Sequence, residues 1–287
     1  MSEYISEAKV HELELKANEI RQAIIAMLVE AGSGHTAGPL GMADIFTTMY
    51  FHVLNHDPKN PEWPERDRLV LSNGHICPVR YAAMAYAGYF PVEELKTLRK
   101  FGSRLQGHPE RTRLPGLETT SGPLGSGLGQ AVGMAIAARM DGATWHTYAF
   151  MSDGEQDAGV THESAMLAGK LRLANLTGVI DRNNIQIDGM TEDVMPLEPL
   201  RAKWEAARWH VLEVDGHNIE AFVDAVNEAK AIREKPTVII AHTIPGKGIP
   251  EIEFDYKWHG IPPTPEQAKQ FLHELRTLHG KIMSEHQ

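Results

Sequence analysis

Apolar and polar residues alternate along the chain in two different periods. Between residues 6 and 30, apolar side chains recur every three or four positions, which predicts a long amphipathic helix that ends at Gly32 and Gly34. From residue 145 onward, short apolar runs alternate with segments that have the periodicity of a helix. The runs cover 147–151, 176–180, 211–214 and 237–241, and the helical segments cover 159–173, 197–207 and 219–232. This order predicts repeated β-α-β units, and therefore an α/β fold with a parallel sheet flanked by helices.

The segment between the first helix and the sheet region is less regular. Residues 57–115 combine proline-rich turns, a strand-like run over 68–72 and a helix of small residues near 82–88. No linker or low-complexity run divides the chain, so we expect residues 1–287 to form a single domain. The pattern of residues 262–287 predicts a polar C-terminal extension that contains a final helix.

Composition and charge exclude several classes of function. Asp and Glu outnumber Lys and Arg by 38 to 28, and the resulting net charge of -10 would repel a nucleic-acid backbone. The N-terminal residues are polar and acidic, unlike a signal peptide, and no later stretch stays apolar for about 18 residues. The single cysteine, Cys77, suits a reducing compartment. We therefore expect a cytoplasmic protein that binds neither nucleic acid nor membranes.

Polar motifs directly follow two neighbouring predicted strands. Asp153 and Gly154 come after the strand over 147–151, and Asn183 comes after the strand over 176–180. One strand–helix–strand unit separates them, so both side chains should emerge at the same edge of the sheet. Each motif alone is more often a turn or a strand-end cap, but the shared spacing favours a functional role. A carboxylate and an amide oxygen suit a hard cation such as Mg²⁺, with Ca²⁺ or Mn²⁺ as alternatives, and Gly154 would let the backbone approach a diphosphate.

Four histidines stand in short glycine-containing loops. These loops cover 33–41, 71–75, 107–110 and 257–260, and they contain His35, His75, His108 and His259. Imidazole donates and accepts hydrogen bonds and titrates near neutrality, so it suits both the binding of sugar hydroxyls and proton transfer. We expect the other histidines to be solvated or structural. Cys77 lies near His75, but no oxyanion-hole motif accompanies it, so we do not expect a thiol nucleophile.

Together these motifs resemble a known family. Ser152-Asp-Gly-Glu155 and Asn183-Asn184 are similar to the signature of thiamine-diphosphate enzymes, with Ser152 where that family usually has glycine. The histidine loops and the segment over 119–127 narrow the resemblance to transketolase, from about residue 33 to residue 260.

The resemblance implies a cofactor, a cation and a role for each matching residue. It implies thiamine diphosphate bound through a metal whose ligands are Asp153, Asn183 and the carbonyl oxygen of Ile185. It also implies that His35 and His259 flank the reacting centre, while His75 and His108 line the cofactor and the C1 end of the donor sugar. The residues implied to contact the cofactor are His75, Gly122, Pro123, Leu124, Gly154, Asn183 and His259.

The resemblance also implies that the chain acts with a partner. A transketolase transfers a two-carbon ketol unit between sugar phosphates, and a glutamate on its pyrimidine-binding half activates the cofactor. Residues 1–287 resemble only the diphosphate-binding half, so we expect a separately encoded pyrimidine-binding chain and a dimer of heterodimers. Ala158 stands where the family commonly has a glutamate thought to couple paired sites, which puts such coupling in doubt.

Several alternatives remain open on the sequence alone. The alpha subunit of a 2-oxoacid dehydrogenase is also a separate diphosphate-binding chain, but it would not be expected to carry the loops of His35, His108 and His259. Deoxyxylulose-phosphate synthase has different histidine loops. Within transketolases, sulfonated or branched sugars are possible substrates. A non-catalytic protein that only binds the cofactor is disfavoured by the intact motifs.

Overall fold

A five-stranded parallel sheet lies at the centre of the computed structural model, which describes residues 5–277. The strands of the described residues are β1 (Arg68–Leu71), β2 (Thr147–Ser152), β3 (Leu176–Arg182), β4 (Ile185–Gln186), β5 (Gly189–Met190), β6 (His210–Asp215) and β7 (Thr237–His242). The central sheet has the order β1-β2-β3-β7-β6, with every neighbouring pair parallel. The short strands β4 and β5 form a separate antiparallel hairpin. The predicted α/β fold with a parallel sheet is therefore confirmed.

Helices cover both faces of the sheet. Those of the described residues are α1 (Glu7–Ala31), α2 (Ala37–Gly41), α3 (Ala43–Thr48), α4 (Cys77–Ala87), α5 (Ser126–Asp141), α6 (Gly159–Leu171), α7 (Thr191–Val194), α8 (Leu200–Ala206), α9 (Ile219–Ala231) and α10 (Pro265–Thr277). A π-helical turn follows α3 over Met49–Val53, and 3₁₀ turns occupy Gly74–Ile76, Val92–Thr97, Gly154–Asp157 and Tyr256–Trp258. No helix within 5–277 is long and apolar enough to cross a membrane.

Alternation along the strands divides the core into two layers. In β2, Tyr148 and Phe150 face the layer that contains α1, α3, α4 and α9, whereas Ala149 and Met151 face the layer that contains α5 and α8. Successive strand residues point to opposite faces, so both faces of a doubly covered sheet must be apolar. Burial of all six residues of β2 agrees with this arrangement.

The long first helix has the termini that its sequence predicts. Ser6 caps the N-terminus by accepting a hydrogen bond from the Lys9 amide at 3.3 Å. Gly32 ends the helix in the left-handed conformation, with φ of 60° and its amide bonded to the carbonyl oxygen of Leu28. The observed helix covers Glu7–Ala31, close to the predicted 6–30.

The helix predicted over 197–207 is shorter than expected. It begins at Leu200, directly after Pro199. A proline disfavours the helical conformation for the residue before it, so Glu198 cannot easily belong to the helix. At the C-terminus, α10 supplies the helix expected in the 262–287 extension, while residues 278–287 lie outside the described part of the chain.

Candidate functional site

Loops that follow the carboxyl ends of the strands surround one cavity. The cavity has a volume of about 420 Å³, within the range typical of small-molecule sites. Segments after β1, β2 and β3 form part of its wall, and loops that carry His35, His108 and His259 complete it. The lining residues are His35, His75, His108, Gly122, Leu124, Ser152, Asp153, Gly154, Asn183, Ile185, Gln186, Ile187, Asp188 and His259. A ligand site at this edge agrees with the general behaviour of open α/β sheets.

The Asp153 carboxylate is buried at one end of the cavity, where only 1% of the residue is exposed. It accepts hydrogen bonds from the Gly154 amide at 2.7 Å and the Asn184 amide at 2.6 Å. Arg182 lies 3.5 Å away and also contacts Thr191, Glu192 and Glu198. Burial raises the pKa of Asp153 to about 6, despite these favourable contacts. These contacts therefore do not fully offset the free-energy cost of burying the charged carboxylate.

The Asn183 side chain is held in one orientation beside Asp153. Its amide nitrogen donates to Asp181 at 2.9 Å, and its amide oxygen accepts from the Ile185 backbone at 3.0 Å. Thr243, directly after β7, donates to the other oxygen of Asp181 at 2.5 Å. The hydrogen bond to Asp181 therefore fixes the orientation of the Asn183 amide group. Burial, opposed by these hydrogen bonds, raises the pKa of Asp181 to about 7.

Three histidine rings converge in the cavity. The ring centroids of His35 and His75 are 4.9 Å apart, those of His35 and His259 are 5.4 Å apart, and those of His75 and His259 are 5.2 Å apart. The three loops are distant in the sequence, so only the tertiary fold assembles this cluster. No other histidine among residues 5–277 lines the cavity except His108.

Burial disfavours protonation of the histidine cluster. It is the largest cause that lowers the pKa of His35 to about 4, and repulsion by His259 when that ring is protonated, and by the Arg99 guanidinium, lowers the pKa further. Burial also lowers the pKa of His75 far below its ordinary value, and it lowers the pKa of His259. At neutral pH these rings are uncharged, so each can offer one donor and one acceptor. The His35 Nδ1 atom is buried and has no hydrogen-bond partner within the described chain.

The loop over 121–125 lies against the loop of His108. The Ser121 amide donates to the Pro109 carbonyl at 3.0 Å, and the Ser121 hydroxyl donates to the Leu71 carbonyl at 2.5 Å. Gly122 and Leu124 line the cavity, whereas Pro123 does not. The Pro123 carbonyl instead accepts the hydroxyl of Ser126 at 2.7 Å, at the start of α5. Pro123 is thus in the expected loop, but its side chain is outside the cavity wall.

A buried glutamate joins three of the loops around the site. Glu155 accepts hydrogen bonds from the Ser72 hydroxyl, from the Gly125 amide at 2.5 Å and from the Ser152 amide at 3.1 Å. These donors follow β1, precede α5 and end β2, respectively. Because only 1% of the residue is exposed, Glu155 acts as an internal support and is not available to a ligand in the cavity.

Sequence reasoning missed the lining residues Ser152, Gln186, Ile187 and Asp188. The last three lie in or next to the β4–β5 hairpin, directly after Asn183. A Cβ atom at Gly154 would lie 3.2 Å from the Gln186 side chain, so this hairpin packs closely on the Asp153 loop. The signal in the sequence was the position of these residues just beyond a strand end, since ligands bind in that region.

Cys77 and His217 lie outside the cavity and have structural roles. Cys77 is buried against the carbonyl oxygens of Gln106 and Gly107, and burial raises its pKa to about 12. A thiol with this pKa is a poor nucleophile. His217 lies in a buried ion-pair network, where it bonds to Asp44 at 2.7 Å and accepts the Ile244 amide at 2.8 Å.

The residues of the cavity fit a cation that bridges to a diphosphate. Asp153 supplies a buried carboxylate whose desolvation a cation would offset, and Asn183 supplies an amide oxygen whose position is fixed by the hydrogen bonds to Asp181 and Ile185. No three His, Cys, Asp or Glu side chains within 5–277 form a metal cluster, so such a site needs amide and carbonyl oxygens as well. At Gly122 a Cβ atom would meet nothing within 4 Å, which leaves open space beside the loop for a phosphate.

Fold and cavity together define a cofactor-binding α/β domain, and comparison with known proteins identifies its family. Residues 13–278 match the family model described as "Transketolase, thiamine diphosphate binding domain". The chain therefore belongs to the transketolase family, and thiamine diphosphate is its cofactor. Membership of this family decides against the two rival thiamine-diphosphate families considered from the sequence.

Two relatives are separate subunits of similar length. The chain is 44% identical to the 6-deoxy-6-sulfo-D-fructose transketolase subunit of Clostridium sp. strain MSTE9, over 92% of this chain and 96% of the relative. It is 38% identical to one of the subunits of the apulose-4-phosphate transketolase of Phocaeicola vulgatus, over 96% of this chain and 98% of the relative.

Longer transketolases match over part of their length. A solved structure of a transketolase variant from Pichia stipitis superposes with a TM-score of 0.87 at 36% identity, covering 93% of this chain and 40% of the other. The transketolase of Leishmania mexicana gives a TM-score of 0.85 at 35% identity, covering 94% and 45%. The chain thus spans less than half the length of these single-chain enzymes.

Proposed function

We propose that this chain is the diphosphate-binding subunit of a two-subunit transketolase. The complex transfers a two-carbon ketol unit from a ketose or ketose phosphate to an aldose or aldose phosphate. One observation carries the proposal: three neutral histidines and the Asp153–Asn183 pair line the same cavity. The near-complete coverage of two relatives that are themselves called subunits supports a division of the enzyme between two chains.

Asp153, Asn183 and the carbonyl oxygen of Ile185 bind the divalent cation, for which we propose Mg²⁺. The donor set supports this assignment, because Mg²⁺ takes only a few of its oxygen ligands from the protein and the others from phosphate groups and water. Gly122 and Gly154 allow the backbone to approach the diphosphate, Leu124 lines the same cavity, and Pro123 shapes the loop that carries Gly122 and Leu124. When bound, thiamine diphosphate supplies the carbon nucleophile that takes up the two-carbon unit.

His35 and His259 act on the sugar at the reacting centre. Their rings are 5.4 Å apart, so one hydroxyl group can lie within reach of both. A neutral imidazole accepts the proton of a sugar hydroxyl as the carbon–carbon bond breaks, and it returns that proton when the acceptor aldehyde reacts. His75 and His108 bind the donor end and the cofactor, and the low pKa of His75 keeps its ring neutral beside His259.

The partner is a pyrimidine-binding subunit, and the assembly is a dimer of heterodimers. Two large apolar side chains at the cavity support a covering partner, since Leu124 is 42% exposed and Ile187 is 68% exposed. Such residues are usually covered in a functional complex. We further propose that residues 1–287 form one domain and that the protein is cytoplasmic, as the low cysteine content supports.

A sulfonated ketose is a second candidate substrate. The relative with 44% identity is named for 6-deoxy-6-sulfo-D-fructose, whereas another structural relative is a Pichia stipitis transketolase in complex with sedoheptulose 7-phosphate. Sulfonate and phosphate are both tetrahedral anions, so the same cavity can accept either sugar class when the partner supplies the remaining contacts.

Reconstitution tests the proposed function. The chain is purified alone and with the product of the neighbouring gene, and ketol transfer from xylulose 5-phosphate or 6-deoxy-6-sulfo-D-fructose to ribose 5-phosphate is measured with thiamine diphosphate and Mg²⁺. We expect transfer only in the mixture, with the better donor identifying the substrate class. Full activity of the chain alone would refute the two-subunit proposal, and inactivity of the mixture with every donor would refute the reaction.

A further inference from the structure

The buried Arg182 guanidinium lies beside Asp153 but does not form a close ion pair with it. Arg182 Nη1 is 3.5 Å from Asp153 Oδ2, although only 4% of Arg182 and 1% of Asp153 are exposed. Close arginine–carboxylate pairs have N–O distances of about 2.7–2.9 Å and often use both oxygens. Arg21 and Asp44, which are equally buried, form such a pair, with distances of 3.0 Å and 2.6 Å to the two oxygens. Burial therefore does not explain the longer distance at Asp153.

Other acceptors hold the terminal nitrogens of Arg182. Nη2 donates to Glu192 Oε1 at 2.8 Å and to Glu198 Oε1 at 3.0 Å, and Nη1 donates to the Thr191 hydroxyl at 2.8 Å. Each terminal nitrogen of a guanidinium carries two N–H groups. The two glutamates therefore use both N–H groups of Nη2, and Nη1 keeps one for Asp153. These contacts draw the guanidinium away from the Asp153 carboxylate.

Backbone hydrogen bonds fix the positions of the two glutamates. Glu192 Oε1 also accepts the Leu197 amide at 3.2 Å, and Glu198 Oε2 accepts the amide of Leu200, where α8 begins, at 2.8 Å. The glutamate side chains are 41% and 58% exposed, so water solvates both carboxylates and their charges cost little to maintain. The chain thus places two surface carboxylates where they receive the buried guanidinium.

This arrangement leaves an acceptor site on the Asp153 carboxylate. Oδ2 accepts the Asn184 amide at 2.6 Å and lies next to Arg182, whereas Oδ1 accepts the Gly154 amide alone within residues 5–277, at 2.7 Å. A carboxylate oxygen has about two lone-pair sites, so Oδ1 keeps one for a cation. If Arg182 moved into a close pair with both oxygens, its charge and its N–H groups would compete with that cation.

We propose that Glu192 and Glu198 are positioning residues for the metal site: they hold Arg182 away from Asp153, so that the carboxylate stays available to the divalent cation. The proposal rests on the proposed function, which assigns that cation to Asp153. Without the two glutamates the guanidinium pairs closely with Asp153, and this pair must break before the cation binds. The glutamates therefore act on cation affinity through Arg182, and their effect should vanish when Arg182 is replaced.

A double-mutant cycle on Mg²⁺ affinity tests this dependence. The apparent Kd for Mg²⁺ is measured by calorimetry in the reconstituted complex at a fixed concentration of thiamine diphosphate. Glu192→Gln combined with Glu198→Gln should raise this Kd about tenfold or more, because the freed arginine occupies Asp153. In a complex that also carries Arg182→Gln, the same two substitutions should change the Kd by less than about twofold.

A charge control and a structural measurement complete the test. Asp193 is an exposed residue of α7 that does not contact Arg182 in the described part of the chain, so Asp193→Asn should leave the Kd for Mg²⁺ unchanged. A crystal structure of the metal-free complex that carries both glutamine substitutions needs neither turnover nor cofactor. In that structure the Arg182 guanidinium should lie about 2.7–2.9 Å from the Asp153 oxygens.

Three results would overturn the proposal. The first is unchanged Mg²⁺ affinity when both glutamates are replaced. The second is an equal loss of affinity with and without Arg182, or in Asp193→Asn, which would assign the effect to long-range charge. The third is an Arg182–Asp153 distance that remains 3.5 Å without the glutamates. Absence of Mg²⁺-dependent binding in the wild type would instead refute the proposed function, and it is distinguishable because it appears without any substitution.

Discussion

Acidification should destabilise the chain through His35. Burial lowers the pKa of this residue to about 4, from 6.5 in the unfolded chain. Between these values the unfolded state binds a proton that the folded state does not bind, so stability falls as the pH falls. The depressed pKa makes the folded state lose about 2 kcal/mol between pH 7 and pH 5, from 1.36 kcal/mol for each pKa unit.

Two buried carboxyl groups respond in the opposite sense, and other buried histidines respond in the same sense, so the test must isolate His35. The pKa values of Asp153 and Asp181 are raised to about 6 and about 7, and these carboxyl groups take up protons in the folded state first. Their contribution to stability therefore increases as the pH falls from 7 toward their unfolded pKa values. A comparison with His35→Gln cancels this contribution, because the variant keeps both carboxyl groups.

Urea unfolding of the purified chain at pH 7 and pH 5 measures the effect. The loss of unfolding free energy between the two pH values should be about 2 kcal/mol smaller in His35→Gln than in the wild type. His11→Gln serves as the control, because its side chain is 63% exposed on α1, and it should behave like the wild type. If His35→Gln and the wild type showed the same pH dependence, the ring would not be a buried, neutral group.

Two further predictions concern the reacting centre and the packing of α6 against the end of α8. His259→Ala should lower kcat of the reconstituted complex by about 10²-fold or more while circular dichroism stays unchanged, and normal turnover would remove His259 from the site. Gly169→Ala should destabilise the chain by about 2 kcal/mol, because its methyl group would collide with the Ala207 carbonyl oxygen. Gly133→Ala on α5 is the matched control: a methyl group there meets nothing within 4 Å and should stabilise the helix by about 0.5–1 kcal/mol, so equal unfolding midpoints would contradict the packing.

The sequence predicted the elements that have strong hydrophobic periods. β2, β3, β6 and β7 lie within one or two residues of the predicted runs. β2, β3 and β7 are almost entirely buried, and strands buried on both faces must be continuously apolar. The shared position of Asp153 and Asn183 followed from the same topology, since parallel strands end at one edge. The shorter α8 follows from Pro199, whose effect on Glu198 outweighed the helical pattern.

The rest depends on contacts between distant segments. The β4–β5 hairpin has strands of only two residues, too short to show a period, so Gln186 and Asp188 were not recognised as cavity residues. The approach of His35 to His75 and His259 is set by three loops that no local pattern connects. Likewise, the orientation of the Asn183 amide depends on Asp181 in β3 and on Thr243, which directly follows β7.

Metal-dependent binding of thiamine diphosphate tests the central claim most directly. Calorimetric titration of the cofactor into the reconstituted complex, with Mg²⁺ and with EDTA, is compared for the wild type, Asp153→Ala and the surface control Asp193→Ala. We predict tight, Mg²⁺-dependent binding by the wild type and the control, and loss of that binding in Asp153→Ala. Equal affinity of Asp153→Ala and the wild type, with the same response to Mg²⁺, would contradict the assignment of this cavity as the diphosphate and metal site.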